Sequence, residues 1–237
     1  MNTHKTNDLR IEHAPQTLRE LALERLRGAI ISGRFPSGER LIERALCEQL
    51  GVSRSIVREA ICFLEADGLV EIAPRSGPIV ARMDWQQAKQ IYDIRMLLEA
   101  QAAAECARKA DAGAKRALKA ALLDLEIAAS RDEGEEKMQA VYATSARFYE
   151  LIFDVAGHAV AWEIVLRLKG RISRLRAMTL ATTDRAVPGL TRITNIYDAI
   201  AANDPDRAAQ AVQDHLTEAS AIARRLLDGK THALGAA

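Results

Sequence analysis

The sequence of 237 residues contains few cysteines and few aromatic side chains. Its three cysteines, Cys47, Cys62 and Cys106, are far apart and form no CxxC pair. They therefore exclude a disulfide framework and a zinc knuckle, and they favour a reducing compartment. Aromatic residues make up 4% of the chain, whereas alanine and leucine are abundant, so the composition favours helices over strands.

The chain also lacks an excess of charge and a long apolar segment. Its formal net charge is +1, so any binding to DNA must come from the local placement of basic residues. The N-terminal residues are polar and do not resemble a signal peptide, and no segment reaches the roughly 20 apolar residues that cross a membrane. We expect a cytoplasmic protein with no membrane partner.

Common catalytic patterns are missing as well. The sequence has no GxSxG, no phosphate-binding P-loop and no CxxC. A di-iron helical bundle would need repeated Glu-x-x-His pairs, and none occurs. The sequence therefore predicts a protein that is not an enzyme, with a helical-bundle enzyme as the less favoured alternative.

The first part of the chain has the pattern of a winged helix-turn-helix. Helices are predicted over about 17–31, 43–50 and 53–67, and short strands over 69–72 and 79–81. Residues 41–72 form the central helix, turn, helix and strand of this unit. The predicted boundaries are a flexible arm at 1–14, a DNA-binding domain at 15–82 and a linker at 83–86.

The second part, residues 87–229, has the pattern of a helical bundle. Six helical segments are predicted, at roughly 84–110, 113–130, 135–156, 158–182, 188–203 and 205–228. Connections this short place neighbouring helices antiparallel. The predicted fold class is therefore mainly α, with a winged helix-turn-helix followed by an antiparallel all-α bundle.

The third predicted helix has one apolar face and one basic face. A rotation of about 100° per residue places Arg54, Ser55 and Arg58 together near its start. Arginine can pair with guanine through two hydrogen bonds, which discriminates between bases by about 1–3 kcal/mol. In the alternative interpretation these arginines form a solvated face with Glu59 and Glu65 as ion-pair partners. The face expected to be buried comprises Ile56, Val57, Ala60, Phe63 and Leu64.

Several short segments between Leu21 and Val80, at fixed spacing, resemble the winged helix-turn-helix of the GntR family of bacterial regulators. They are ISGR at 31–34, PSGERL at 36–41, LGVSR at 50–54, VREA at 57–60 and GLV at 68–70, with Ile56 where the family usually has proline. The resemblance implies a homodimer that binds an inverted repeat in double-stranded DNA. The predicted DNA contacts are Arg44, Ser53, Arg54, Ser55 and Arg58, with Arg75, Ser76 and Gly77 at the wing.

Residues from about 87 to 228 resemble the FCD effector domain of the FadR branch of that family. The resemblance rests on IYDIR at 91–95, RFY at 147–149, AGH at 156–158 and HL at 215–216. Many such domains hold a divalent metal with one Asp and three His side chains. The corresponding positions here are Ser145, Tyr149, Ile193 and His215, of which only His215 can ligate as the family does. We therefore expect no metal and no cofactor.

The same positions suggest a ligand site without a metal. In one interpretation His215, Tyr149 and Ser145 hydrogen-bond an effector. In the alternative, which is the more common case, His215 is a partly buried histidine bonded to a backbone carbonyl or to Tyr149. Arginines could supply the missing positive charge, and Arg95, Arg147, Arg171 and Arg174 all lie on predicted bundle helices. Glu99, four residues after Arg95, could instead hold it in an intrahelical ion pair. The predicted effector contacts are Arg95, Ser145, Tyr149, Arg171 and His215.

These expectations combine into a function. The sequence predicts a transcriptional regulator, expected to be a repressor, that acts on DNA in the bacterial cytoplasm. An organic acid or another anionic metabolite would control its affinity for an operator. The alternative is a DNA-binding protein that needs no effector and has a degenerate sensor domain. The sequence names neither the effector nor the operator.

Overall fold

The computed structural model describes residues 17–132, 134–180 and 186–234. The predicted arm at 1–14 lies outside these residues. The helices are α1 (Leu18–Ile31), α2 (Glu43–Leu50), α3 (Arg54–Ala66), α4 (Trp85–Lys109), α5 (Ala112–Ala129), α6 (Glu135–Ala156), α7 (Ala159–Arg167), α8 (Lys169–Leu180), α9 (Ala186–Ala201) and α10 (Pro205–Leu234). The strands are β1 (Val70–Ala73) and β2 (Gly77–Val80).

The first domain is the predicted winged helix-turn-helix, and local sequence explains its boundaries. Thr17 and Glu20 form a capping box that begins α1. Gly51 ends α2 with φ of +66°, a left-handed conformation that glycine adopts without steric cost. Strands β1 and β2 pair antiparallel, one or two residues from the predicted positions, and Arg40 adds a single bridge to Ile79.

One part of the predicted apolar face of α3 is wrong. Phe63 is 47% exposed, whereas Ile61, which was not predicted, is buried. Helix α3 packs mainly on α1, so its buried stripe is narrower than predicted and Phe63 lies at the margin. There the guanidinium of Arg19 lies 5.8 Å from the centre of the Phe63 ring.

The second domain is a helical bundle with its own apolar core. Helix α4 lies at its centre and packs along α10, and also against α6 and α9. Small side chains on α4, including Ala102, Ala103 and Ala107, are fully buried and allow the helices to approach closely. Helix α4 begins inside the predicted linker at 83–86, because the carboxylate of Asp84 caps it by accepting a hydrogen bond from Gln87 N at 2.7 Å.

Two predicted helix boundaries in the bundle are wrong. The segment predicted as one helix at 158–182 is interrupted at Leu168, which separates α7 from α8. A break was predicted at 187–189, but α9 begins at Ala186 and includes Pro188 in its first turn. A proline is tolerated there because the first N–H groups of a helix have no intrahelical acceptor. Within the described ranges, no helix is both long and apolar enough to cross a membrane.

Candidate DNA-reading face and ligand site

The start of α3 presents the predicted polar residues to solvent. Ser53, Arg54, Ser55 and Arg58 are all exposed. They are held in place by the opposite side of the helix, where Val57, Ala60, Ile61 and Leu64 are buried in the core of the domain. Ser53 occupies the N-cap position, but its side chain makes no capping hydrogen bond. This face is therefore a rigid polar surface on a helix of a width that fits the DNA major groove.

Arg58 is fixed by a residue from the preceding helix. Its Nε donates to Oε1 and Oε2 of Glu43 at 3.0 and 2.9 Å. The hydrogen bond to Glu43 raises the pKa of Arg58. The side chain of Arg58 stays 64% exposed beside this pair. The alternative interpretation offered Glu59 and Glu65 as partners, but Arg58 pairs with Glu43, and Glu59 lies 3.7 Å from Arg19.

Arg54 borders a basic cleft beside α3. The cleft has a volume of about 310 Å³. Three arginines line it: Arg40, which bridges to β2, Arg44 on α2 and Arg54 on α3. Arg44 is paired on its own helix with Glu48 at 3.1 Å, whereas Arg54 has no ion pair within the described part of the chain. Arg40 was not predicted as a member, because its position depends on its pairing with β2. The lining residues are Arg40, Leu41, Ile42, Glu43, Arg44, Arg54 and Pro78.

The wing places its predicted residues at an exposed tip. Arg75 has φ of +70°, which is uncommon for a residue with a side chain, and Gly77 follows with φ of +74°. The N–H of Ser76 donates to the carbonyl of Ala73 at 3.2 Å and closes the turn. The side chains of Arg75 and Ser76 are exposed, so both can reach a DNA backbone beside the groove.

In the bundle, Arg95 and Glu99 form a buried ion pair on α4. Arg95 Nε donates to Glu99 Oε1 at 2.7 Å, and Nη2 donates to Oε2 at 3.2 Å. Their side chains are only 2% and 1% exposed. Burial alone would lower the pKa of Arg95, but the Glu99 carboxylate outweighs burial and raises it. Arg95 is therefore charged in the interior, where an unpaired charge would be costly.

A second guanidinium that was not predicted lies beside this pair. Nη1 of Arg176, on α8, donates to Oγ of Ser145 at 3.2 Å, and its guanidinium lies 5.5 Å from the centre of the Tyr149 ring. Burial, and next the positive charge of Arg95, lower the pKa of Arg176 to about 10. Arg95, Ser145 and Tyr149, three of the predicted effector contacts, lie near Arg176. That they contact an effector stays a prediction.

The other arginines considered for this site lie elsewhere. Arg147 is exposed and pairs with Glu150 at 2.6 Å. Arg171, predicted to contact an effector, is exposed and borders Gly68 of the winged domain. Helical rotation places it on a different side of α8 from Arg176, so the structure does not bring it to the other predicted contacts. His215 is 7% exposed, on the helix that packs along α4.

The residues do not fit the metal that related domains hold. The hydroxyl of Ser145 already donates to the carbonyl of Tyr142 at 3.1 Å and accepts from the Arg176 guanidinium. Ile193 has no ligating atom, and a guanidinium at this position repels a divalent cation. Within the described residues, no three His, Cys, Asp or Glu side chains are grouped to hold a metal ion.

Helix α8 also forms the contact between the two domains. Nη1 of Arg174 donates to the carbonyl of Ala81, the residue after β2. Burial lowers the pKa of Arg174, and Glu71 on β1 opposes this effect. Gly170 lies so close to the turn after α3 that a Cβ there would be 2.6 Å from the carbonyl oxygen of Asp67. Asp67, the residue after α3, therefore lies directly against α8.

Both domains match known families. Residues 18–80 match the family of bacterial regulatory proteins called gntR, and residues 90–218 match the FCD domain. The HTH-type transcriptional repressor RspR of Escherichia coli K12 is 26% identical over 201 residues, which covers 85% of this chain and 86% of the repressor.

Two solved structures share the fold. A putative GntR transcriptional regulator from Rhodococcus sp. RHA1 has a TM-score of 0.70 and 25% identity, with 86% of this chain and 96% of that chain covered. McbR/YncC of E. coli has a TM-score of 0.71 and 21% identity, with 90% of this chain and 99% of that chain covered. The likeness spans both domains.

Proposed function

The chain belongs to the GntR family of bacterial transcriptional regulators and carries a C-terminal FCD domain, and on this premise we propose that it is a repressor controlled by an anionic metabolite. It acts as a homodimer on an inverted repeat in the bacterial cytoplasm. Two recognition helices about 34 Å apart would then enter successive turns of the major groove.

The exposed residues at the start of α3 are the main support for the proposal that this helix recognises DNA. Arg54 and Arg58 project from the first two turns, the part of a recognition helix that reaches base edges. Arg58 is preorganised by Glu43, so little side-chain entropy is lost when it binds. Arg44 and Ser53 are placed to contact phosphates, and Ser55 to contact a base edge. The wing residues Arg75, Ser76 and Gly77 would contact the backbone or the minor groove.

The buried charged cluster supports ligand control. The buried side chains of Arg95, Ser145 and Tyr149 lie near the half-buried Arg176, and a charge-assisted contact to an anion is strong where water is largely excluded. Helix α8 carries Arg176 on one side and touches the winged domain through Arg174 on another. A ligand that moves α8 would therefore change the pose of α3, and coupling of about 1–3 kcal/mol changes DNA affinity by roughly 5- to 150-fold.

Repression is supported by a relative. RspR of E. coli, which is similar to this chain over most of its length, is named a transcriptional repressor. The alternative is regulation without an effector. The buried Arg95–Glu99 pair favours this alternative, because two groups that already bind each other can be purely structural. A response of operator affinity to small anions distinguishes the two.

Selection of binding sites from random double-stranded DNA tests the proposal. We expect an enriched inverted repeat, and we expect Arg54→Ala to abolish the preference for it over scrambled DNA in an anisotropy titration at fixed salt. Arg116→Ala is the matched control, since Arg116 is exposed on α5 in the other domain. Unchanged selectivity in Arg54→Ala would show that α3 does not read the DNA.

A further inference from the structure

We propose that Ile42 recognises a thymine of the operator, by packing its side chain against the methyl group that thymine presents in the major groove. This inference rests on the proposed function, because it adds a residue to the same DNA-reading face. Thymine carries a methyl group at this edge and the other three bases do not, so an apolar side chain can distinguish it. Ile42 was not among the predicted DNA contacts, which are polar residues and one glycine.

Ile42 occupies a position where neither helix formation nor the core accounts for an isoleucine. It is the N-cap residue of α2, and its side chain supplies no capping hydrogen bond. Isoleucine is among the least favourable N-cap residues, because serine, threonine, aspartate or asparagine would accept a hydrogen bond from the helix. Ile42 is also 56% exposed, so it contributes little to the apolar core. A residue that breaks a local rule in this way is typical of a binding surface.

The neighbours of Ile42 place it among the arginines of the DNA-reading face. Ile42 lines the cleft beside α3, together with Arg44 of α2 and Arg54 of α3. The preceding residue, Leu41, is 2% exposed, and its N–H donates to the carbonyl of Pro78 at 2.9 Å. The backbone that carries Ile42 is therefore anchored in the core and on the wing, and the apolar side chain is held in the same cleft as two guanidiniums.

The chemistry of this side chain selects one kind of group on DNA. Guanidiniums bind phosphates and guanine, whereas isoleucine gains from contact with another apolar group. On the major-groove edge of the bases that group is the thymine methyl. A β-branched side chain has few rotamers, so little entropy is lost when it is fixed against the base. Burial of one methyl group corresponds to a roughly 3- to 10-fold preference for thymine.

Replacement of operator thymines with deoxyuridine tests the contact, because it removes the methyl group and leaves the hydrogen-bonding edge of the base unchanged. Each thymine of the selected half-site is replaced in turn, symmetrically in both halves, and affinity is measured by fluorescence anisotropy at fixed salt. We expect the wild type to lose affinity by roughly 3- to 10-fold at one position. Ile42→Ala should bind both forms of that site with nearly equal affinity. A loss of the same size in both proteins, or a wild type that responds at no position, would overturn the assignment.

Ile127→Ala is the matched control, because Ile127 is 54% exposed on α5, in the other domain. This variant should keep the full preference of the wild type for thymine over deoxyuridine. Ile42→Val, which retains a branched side chain, should keep part of that preference. Equal loss of the preference in Ile127→Ala and Ile42→Ala would show that the effect does not come from the cleft, and it would contradict the proposal.

Thermal unfolding without DNA separates this role from a structural one. Ile42→Ser supplies the capping oxygen that isoleucine lacks, so it should raise Tm while it removes the preference for the thymine methyl. A lower Tm in Ile42→Ser would show that the isoleucine is needed for packing, and that result would count against the proposal. A site selection that enriches no sequence would overturn this inference together with the proposal for DNA reading. An enriched repeat whose binding is indifferent to every methyl group would overturn this inference alone.

Discussion

Arg174 and Arg176 lie two positions apart on α8 and contact different domains. Nη1 of Arg174 donates to the backbone carbonyl of Ala81 in the winged domain, whereas Nη1 of Arg176 donates to Oγ of Ser145 inside the bundle at 3.2 Å. Two residues correspond to about 200° of helical rotation, which places these side chains on nearly opposite faces. One rigid helix therefore joins the charged cluster to the DNA-binding domain.

Gly170→Ala should weaken this junction. Alanine normally stabilises a helix interior by about 1 kcal/mol relative to glycine. Here its Cβ would lie 2.6 Å from the carbonyl oxygen of Asp67, a backbone atom that cannot rotate away. We expect a lower Tm and faster amide hydrogen exchange over residues 67–70.

Gly113→Ala is the matched control for that change. Its Cβ would meet the carboxylate of Asp111, the cap of α5, at 3.2 Å, far from the winged domain. The control should leave exchange over residues 67–70 unaltered. Unaltered exchange in Gly170→Ala as well would mean that the two domains do not rest on each other at this helix.

Features set by residues close together in the sequence could be predicted, whereas features set by contacts between distant residues could not. The winged domain depends on local signals, such as the cap at Thr17 and the glycine at 51, and its helices were predicted almost to the residue. Which arginines of α8 face the bundle depends on the break at Leu168, because α8 begins there with its own orientation and does not continue the rotation of α7. No local signal marks that break, so Arg176 was not among the predicted site residues.

Glu43→Gln should reduce sequence selectivity while it strengthens non-specific binding. The carboxylate of Glu43 holds Arg58 at 2.9 Å, and its loss frees that side chain to adopt other rotamers. The substitution also removes a negative charge from the DNA-facing surface, which favours phosphates of any sequence. Anisotropy titrations with operator and scrambled DNA at one salt concentration should show a smaller affinity ratio.

Glu65→Gln provides the comparison for Glu43→Gln. It removes the same charge from the exposed, distal half of α3, and no ion pair of Glu65 is present within the described residues. We expect the affinity ratio of this variant to equal that of the wild type. A ratio that also stays unchanged in Glu43→Gln would exclude Glu43 as the group that positions Arg58.

Glu99→Gln should strongly destabilise the bundle. The substitution leaves the buried guanidinium of Arg95 without a carboxylate, and breaking a buried pair on one side costs about 3–5 kcal/mol. The cost should be smaller in an Arg176→Met background, because Glu99 also attracts the Arg176 guanidinium and that attraction is then already absent. Urea unfolding of the wild type, the two single variants and the double variant gives this coupling, and additive effects would show that Glu99 and Arg176 do not interact.

Alkylation rates of the cysteines can show which face of the protein DNA covers. Burial raises the pKa of Cys106 to about 12, so at pH 8 its thiol stays protonated and resists alkylation. Cys62 is exposed on α3, one helical turn after Arg58, and should react readily with iodoacetamide in the free protein. Operator DNA lying along α3 would cover it, so peptide mass spectrometry should show slower labelling of Cys62 in the complex. Equal labelling with and without DNA would place the DNA away from this face, because a duplex in contact with Arg54 and Arg58 leaves little room for the reagent beside them.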